Sequence, residues 1–134
     1  MASPERTRAV AKVEVKASTA EPYDRGEPAL VEVRLSETFS GDMEGDSAVR
    51  ALQVAGDDRS GRQVSLQRFC GRIGGRQGTC VLQGEETVER GRITAVWSVV
   101  PGSGTGDLAG LRGEGGFEGA FGKGSTATLD YWFE

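Results

Sequence analysis

The fold is decided by the stretch Gln63-Val-Ser-Leu-Gln-Arg-Phe-Cys-Gly-Arg-Ile-Gly-Gly-Arg-Gln-Gly-Thr-Cys-Val-Leu-Gln-Gly-Glu-Glu-Thr-Val88. It predicts two strands, at residues 63–73 and 77–88, separated by Gly74-Gly75, a dipeptide favoured in tight hairpin turns. Glycine is abundant around this hairpin, because 20 of the 21 glycines lie between residues 41 and 124. Frequent glycines, few prolines and short apolar runs are typical of many strands joined by tight turns.

Strand-like alternation continues on both sides of the hairpin. Apolar and charged residues alternate over residues 10–17 and again over residues 28–39, where Val31, Val33 and Leu35 share one face. Further strands are predicted at residues 43–55, 92–100, 111–118 and 125–133. No segment has a convincing helical period, and the best helical candidate is a single turn near Asp107-Leu108-Ala109.

The eight predicted strands indicate an all-β fold with negligible helix. Eight is the number at which an antiparallel sheet closes into a small barrel without free edges, and a sandwich of two four-stranded sheets is the alternative. A chain of 134 residues and 14.2 kDa fits one domain. We expect that domain to span residues 9–134, preceded by a disordered arm of residues 1–8.

The composition excludes several classes of function. Histidine is absent, which rules out Ser-His-Asp and Cys-His catalysis, two-His zinc sites and haem on a proximal His. The net charge is −4, with 13 Arg and 3 Lys scattered among 20 acidic residues, so we expect no nucleic-acid partner. No 18-residue apolar stretch and no signal-like apolar segment is present, so we expect a cytoplasmic protein without a membrane partner.

The two cysteines flank the central hairpin, and their relation depends on its loop. A two-residue loop pairs Cys70 with Thr79, which places Cys70 and Cys80 on opposite faces of the sheet. A three-residue loop that includes Arg76 would pair the two cysteines directly. We expect two reduced, buried thiols that act as small apolar side chains.

A glycine-rich run carries a family resemblance. It reads Trp97-Ser-Val-Val-Pro-Gly-Ser-Gly-Thr-Gly-Asp-Leu-Ala-Gly-Leu-Arg-Gly-Glu-Gly-Gly-Phe117 and is supported by Phe39-Ser-Gly-Asp-Met-Glu-Gly45 and Leu129-Asp-Tyr-Trp-Phe-Glu134. With these stretches the sequence resembles the bacterial DUF3224 proteins, a family that is similar to the allene oxide cyclase barrel and, more remotely, to the dirigent proteins. The resemblance implies a closed barrel with an apolar interior; in allene oxide cyclase that interior holds a fatty-acid epoxide and guides its ring closure. The family often carries a His where this chain has Gly84.

The same run contains the letters of a dinucleotide fingerprint, in Gly104-Thr-Gly-Asp-Leu-Ala109. A nucleotide site of that type needs a helix to follow, so that its N-terminal amides can hold the pyrophosphate. Gly110, Gly113, Gly115 and Gly116 come next and oppose a helix. We therefore interpret the motif as a turn.

Glu37 is the candidate catalytic residue. It continues the spacing of Val31, Val33 and Leu35, and Phe39 follows in the same phase. In a regular strand its carboxyl points into the barrel, where burial would raise its pKa and suit it to general acid or base work. The alternative is a bulge or strand end that turns the side chain outward.

Six further residues are candidates for ligand binding. Polar groups orient ligands in apolar barrels, and aromatic side chains serve as core and as pocket lining. The candidates are Gln67, Phe69, Gln83, Glu85, Trp97 and Tyr131. Exposed strand faces and ordinary core packing are the alternatives for these positions.

These observations favour a barrel that binds a small, mostly apolar molecule in its interior. In its sharper form the protein is a cyclase or isomerase that folds its substrate into a reactive shape and needs no metal and no other cofactor. The alternatives are a non-catalytic carrier or ligand sensor, and a structural barrel with a filled core whose outer face makes homo-oligomers.

Overall fold

The computed structural model describes residues 5–55, 60–120 and 124–134, and they form a closed barrel. The strands are β1 (Thr7–Asp24), β2 (Leu30–Gly41), β3 (Met43–Ala55), β4 (Ser60–Ile73), β5 (Arg76–Glu89), β6 (Arg92–Val99), β7 (Leu111–Ala120) and β8 (Gly124–Phe133). Each strand pairs antiparallel with the next, and β8 returns to pair with β1. The predicted all-β fold and the eight-stranded barrel are confirmed, and the sandwich alternative is excluded.

Helix is almost absent from the described residues. A single 3-10 turn, Gly106–Leu108, lies where the sequence predicts one helical turn. Only Ala109 and Gly110 separate it from strand β7, so no longer helix follows and the fingerprint-like motif is a turn, as predicted. No helix in these segments has the length and apolar character needed to cross a membrane.

The central hairpin closes with a two-residue loop. Gly74 and Gly75 have φ angles of 58° and 84°, which only glycine adopts readily at both central positions of such a turn. Phe69 therefore faces Cys80 across the pair, and the two thiols are free and lie on opposite faces. The expected burial is confirmed for Cys80, whose thiol pKa is raised by burial to about 12. It is wrong for Cys70, which is exposed.

Strand β1 is longer than the alternation over residues 10–17 predicts. It begins at Thr7, inside the segment expected to be disordered, because it pairs with Tyr131 of β8. It runs on to Asp24 because its second half pairs with β2, with Pro22 opposite Val31. Residues 1–4, and residues 56–59 between the strands predicted at 43–55 and 63–73, lie outside the described residues.

Apolar side chains fill one half of the barrel interior, and we call the end of the barrel at this half the closed end. This end carries the β2–β3 and β4–β5 turns and the β6–β7 loop. Here Phe39, Met43, Phe69, Ile73, Leu82, Trp97, Leu108, Leu111 and Leu129 form a continuous apolar core. Side chains of this size fill the narrow interior of an eight-stranded barrel.

The β6–β7 loop seals the closed end. Strand β6 stops at Val99, opposite Leu82, so the first residues of β5 have no β6 partner. The loop replaces it: the Thr79 amide donates to Oγ1 of Thr105 at 3.1 Å, and the Thr105 amide donates to the Thr79 carbonyl at 2.9 Å. The loop thereby places Leu108, which is fully buried, over the end of the core.

Candidate functional site

The other half of the barrel contains a cavity of about 340 Å³. It lies toward what we call the open end, which is the end of the barrel at which β1, β3, β5 and β7 finish. Most of its wall is apolar and includes Val15, Val33, Leu35, Val49, Ile93 and Phe117. Its polar groups are mainly carboxyls and amides, from Glu37, Glu86, Gln53, Gln63 and Gln67. An apolar cavity with a few polar groups is the usual form of a small-molecule site.

The floor of the cavity is aromatic. Phe117 lines the cavity and packs on Trp97, with ring centroids 5.4 Å apart. Trp97 stacks on Phe39 at 6.2 Å, and Phe39 meets Phe69 edge-on at 5.2 Å. The indole N–H of Trp97 donates to the Thr128 carbonyl at 3.0 Å, which fixes the ring. The aromatic stack therefore separates the cavity from the filled half.

Glu37 lies on β2 in the inward phase that the sequence predicts, and it lines the cavity. It pairs with Ser47 of β3 and with Val15 of β1. The irregularity next to it lies on β1, between Val15 and Ala17, so β2 keeps its alternation. Burial, and to a lesser degree the nearby Glu86 carboxyl, raises the pKa of Glu37 to about 7.

Glu86 is a second inward carboxyl, and it is only 4% exposed. Its Oε1 accepts a hydrogen bond from Nε2 of Gln63, its partner across the β4–β5 pair, at 2.8 Å. Its Oε2 is buried and has no hydrogen-bond partner of ordinary geometry among the described residues. Burial raises the pKa of Glu86, while Gln63 and the nearby Ser65 hydroxyl oppose that rise because they favour the carboxylate.

Gly84 makes room for the Glu86 carboxyl. A Cβ atom at Gly84 would lie 3.0 Å from Glu86 Oε2 and 3.0 Å from Ser65 Oγ. Residue 84 is buried and faces inward, directly opposite Ser65. A side chain at this position would therefore compete with Glu86 for the same part of the wall.

The two carboxyls differ in their surroundings. Glu86 accepts a hydrogen bond from Gln63, whereas Glu37 has no hydrogen bond or ion pair with another described residue. Hydrogen bonds to a carboxylate favour its charged form, and an adjacent negative charge disfavours ionisation of a second carboxyl. The surroundings therefore favour ionisation of Glu86 over ionisation of Glu37, and a pKa of about 7 leaves Glu37 partly protonated near neutral pH.

Gln67, a predicted ligand-binding residue, also lies in the cavity wall. It is 5% exposed, and its Oε1 accepts a hydrogen bond of 2.5 Å from the Ser47 hydroxyl. This bond fixes the oxygen end of the amide. The carboxamide is therefore held in one orientation beside the cavity.

The three aromatic candidates lie outside the cavity wall. Phe69 and Trp97 are buried in the filled half, and Tyr131 is half-buried against that core and packs on Phe133 at 6.0 Å. Their side chains are large enough to fill the barrel where they stand, so they support the site rather than line it. Phe117, from the same glycine-rich run as Trp97, is the aromatic ring that meets the cavity.

Two of the predicted ligand-binding residues, Gln83 and Glu85, lie outside the barrel interior. Both are exposed on the outer face of β5, because the inward phase of that strand is Cys80, Leu82, Gly84, Glu86 and Val88. Their side chains cannot reach the cavity, and the expectation that they face a ligand in the barrel is wrong.

Sequence reasoning missed Gln53, Gln63 and Glu86. The signal for Glu86 was present, since Cys80, Leu82 and Val88 share its phase and Glu85 stands in the opposite one. Gln63 is likewise in phase with Gln67 and Phe69. Among the described residues no cluster of three His, Cys, Asp or Glu side chains is placed to hold a metal ion.

Comparison with known proteins places this barrel in a family. The family described as "Protein of unknown function (DUF3224)" matches residues 9–133. A crystal structure of a DUF3224 protein of unknown function from Shewanella oneidensis MR-1 has a TM-score of 0.82 and 30% sequence identity, over 97% of this chain and 99% of that one. No curated protein matches. Because the family match runs from β1 to β8 over the closed barrel, the chain belongs to the DUF3224 family.

Proposed function

We propose that the protein binds a small, mostly apolar molecule in the cavity at the open end of its barrel. The observation that carries this proposal is the division of the barrel into a filled half and a half with a cavity of about 340 Å³. Small-molecule sites commonly measure about 300–1,000 Å³, so this cavity suits a compact ligand. A purely structural barrel would gain stability by filling that space with side chains.

The sharper form of the proposal is a cofactor-independent cyclase or isomerase. Its support is the Glu37 carboxyl in the cavity wall, whose pKa of about 7 lets it give or take a proton near neutral pH, beside the Glu86 carboxyl that Gln63 holds by a hydrogen bond. The aromatic floor, in which a hydrogen bond fixes the Trp97 ring, and the apolar walls would hold a flexible substrate in one folded shape. This form also rests on the likeness to the allene oxide cyclase barrel that the resemblance to the DUF3224 proteins implies.

A carrier or sensor of the same shape is the alternative at this site. It needs the cavity and no proton transfer. Glu37→Gln distinguishes the two roles, because it keeps the size of the side chain and removes its acidity. Turnover of a substrate would be lost in this variant, whereas binding of an uncharged ligand would be retained.

Binding in the cavity can be tested with the neutral fluorophore N-phenylnaphthylamine, whose emission rises in apolar surroundings. We expect saturable binding to the wild-type protein. Val49→Phe adds a ring to the cavity wall of β3, and we expect it to weaken binding at least about tenfold, which corresponds to about 1.4 kcal/mol.

The matched control is Val54→Phe, the same substitution on the same strand at a residue that is 42% exposed outside. It should leave the affinity within about twofold of the wild type. The proposal is contradicted if the fluorophore does not bind, or if Val54→Phe weakens binding as much as Val49→Phe does.

A second candidate function is self-association, favoured by an apolar strip on the outer face of β3–β6. The strip joins Leu52 and Val64, which are directly paired, with Leu66, Val54 and Val96, the last 69% exposed. Single exposed apolar residues are common, but neighbouring ones mark interaction surfaces. Sedimentation velocity should show concentration-dependent dimers that Leu66→Glu abolishes, and a monomer at every concentration would rule this function out.

We further propose a cytoplasmic location. Its support is the pair of cysteines, which lie on opposite faces of one hairpin and form no disulfide. Unpaired thiols are usual where glutathione and thioredoxin keep cysteines reduced.

A further inference from the structure

The charge of the cavity indicates which apolar molecules it takes. Its described wall contains two carboxyls, Glu37 and Glu86, and no lysine, arginine or histidine. The side chains that β1, β3, β4, β6, β7 and β8 contribute to it do not titrate in the neutral range. Glu86 on β5 is therefore the only described titratable group that faces Glu37 across the cavity.

The carboxyls have unused acceptor capacity. Oε2 of Glu86 is buried without a hydrogen-bond partner among the described residues. Glu37 lines the cavity and is half-buried, so its oxygens are accessible to a bound molecule. Glu37 accepts no hydrogen bond from another described side chain, so a ligand that brings an N–H donor into the cavity would supply one.

We propose that the preferred ligand is an apolar molecule that carries a protonated amine, with the ammonium group at Glu37 and the hydrocarbon against Leu35, Val49 and Ile93. This inference rests on the proposed ligand-binding function and names its ligand class. An ammonium group supplies three donors and a charge opposite to that of the two carboxyls. A ligand carboxylate would add a further negative charge beside the Glu37 and Glu86 carboxyls.

Three probes with the same ten-carbon chain, decylamine, decanol and decanoate, can test this preference by displacing N-phenylnaphthylamine. All are used below the concentrations at which they form micelles. We expect decylamine to displace the fluorophore at a concentration at least about tenfold lower than decanoate, with decanol between them. Its affinity should rise between about pH 6 and about pH 8.5, because the cation favours the charged form of Glu37.

Two variants test whether the charge of Glu37, and not the shape of the cavity, determines the preference for an amine. Glu37→Gln should bring the decylamine and decanoate affinities to within about threefold of each other, whereas Glu44→Gln, at an exposed residue of β3, should keep the wild-type ratio. If Glu37→Gln does not fold, the pH dependence of the wild-type ratio provides the same test.

The outcomes distinguish the two proposals. If the fluorophore binds but decanoate competes as well as decylamine, or if the ratio does not depend on pH, the amine preference is overturned and the ligand-binding function stands. If neither the fluorophore nor any of the three probes binds, the ligand-binding function fails, and the amine preference fails with it.

Discussion

Glu37 makes the stability of the protein depend on pH. Its pKa is about 7 in the folded barrel and near 4.5 when the chain is unfolded and solvated. The folded state therefore binds more protons than the unfolded state between these values. It follows that the free energy of unfolding is highest below about pH 4.5 for this group and falls as the pH rises to about 7. Glu86 acts in the same direction, because burial raises its pKa too.

Glu37→Gln should remove the contribution of Glu37 to this pH dependence and stabilise the protein at about pH 8. A gain of about 1–3 kcal/mol is expected, because the amide needs no ionisation in the cavity. Urea unfolding at about pH 5 and pH 8 measures the effect, with Glu44→Gln as the exposed control. An unchanged pH slope, together with an NMR-measured pKa near 4.5 for Glu37, would show that the carboxyl is solvated.

Gly84 and Glu86 should be coupled. The Cβ atom of Gly84→Ala would lie 3.0 Å from Glu86 Oε2, so the carboxyl must shift. We expect Gly84→Ala alone to destabilise the fold by about 1 kcal/mol, and by less in a Glu86→Ala background where the carboxyl is gone. A double-mutant cycle in urea should give a coupling of about 0.5–1 kcal/mol, and strict additivity would refute the contact.

At the scale of elements, the β6–β7 loop closes the barrel at the end opposite the cavity. Leu108 is fully buried there, and Gly78 of β5 lets the loop approach, since its Cβ would collide with the Thr105 carbonyl. The loop therefore combines two tasks, namely pairing with β5 where β6 has ended and plugging the core. This gives the glycine-rich run a structural role in place of the nucleotide role that its letters suggest.

Leu108→Ala should destabilise the protein by about 2–4 kcal/mol, because it opens a void in the filled half. Binding of N-phenylnaphthylamine should stay within about twofold of wild type under conditions where the variant is folded, since Leu108 does not line the cavity. Loss of binding in a folded Leu108→Ala protein would show that the two halves of the barrel are not independent.

The strands could be predicted from the sequence where apolar and polar side chains alternate. They could not be predicted where only backbone pairing with a neighbouring strand defines them. Val31, Val33 and Leu35 gave the phase of β2, and with it the inward position of Glu37. The second half of β1 carries no such pattern, because its residues are exposed and it is held by backbone bonds to β2. On β5 the phase of Cys80 and Leu82 includes Glu86, so the alternation indicated Glu86 and not Glu85 as the inward glutamate.

At the scale of the whole molecule, core side chains fill the half of the barrel at the closed end, and a cavity occupies the half at the open end. The number of strands favoured a closed barrel but left a sandwich of two four-stranded sheets open, and it did not indicate the division into a filled and an open half. That division depends on which inward residues share a level across eight strands, and this is set by registers such as Glu37 opposite Ser47 and Gln63 opposite Glu86. Those registers bring the carboxyls into one cavity and leave Trp97 beneath it.

The most direct test of this account is an NMR measurement of contacts between bound N-phenylnaphthylamine and methyl-labelled protein. Intermolecular NOEs are predicted to Leu35, Val49 and Ile93, which line the cavity, and none to Val64, Leu66 and Val96 on the outer face. NOEs confined to the outer methyl groups, or none to the cavity methyl groups at saturating ligand, would contradict the claim that the open half of the barrel is the binding site.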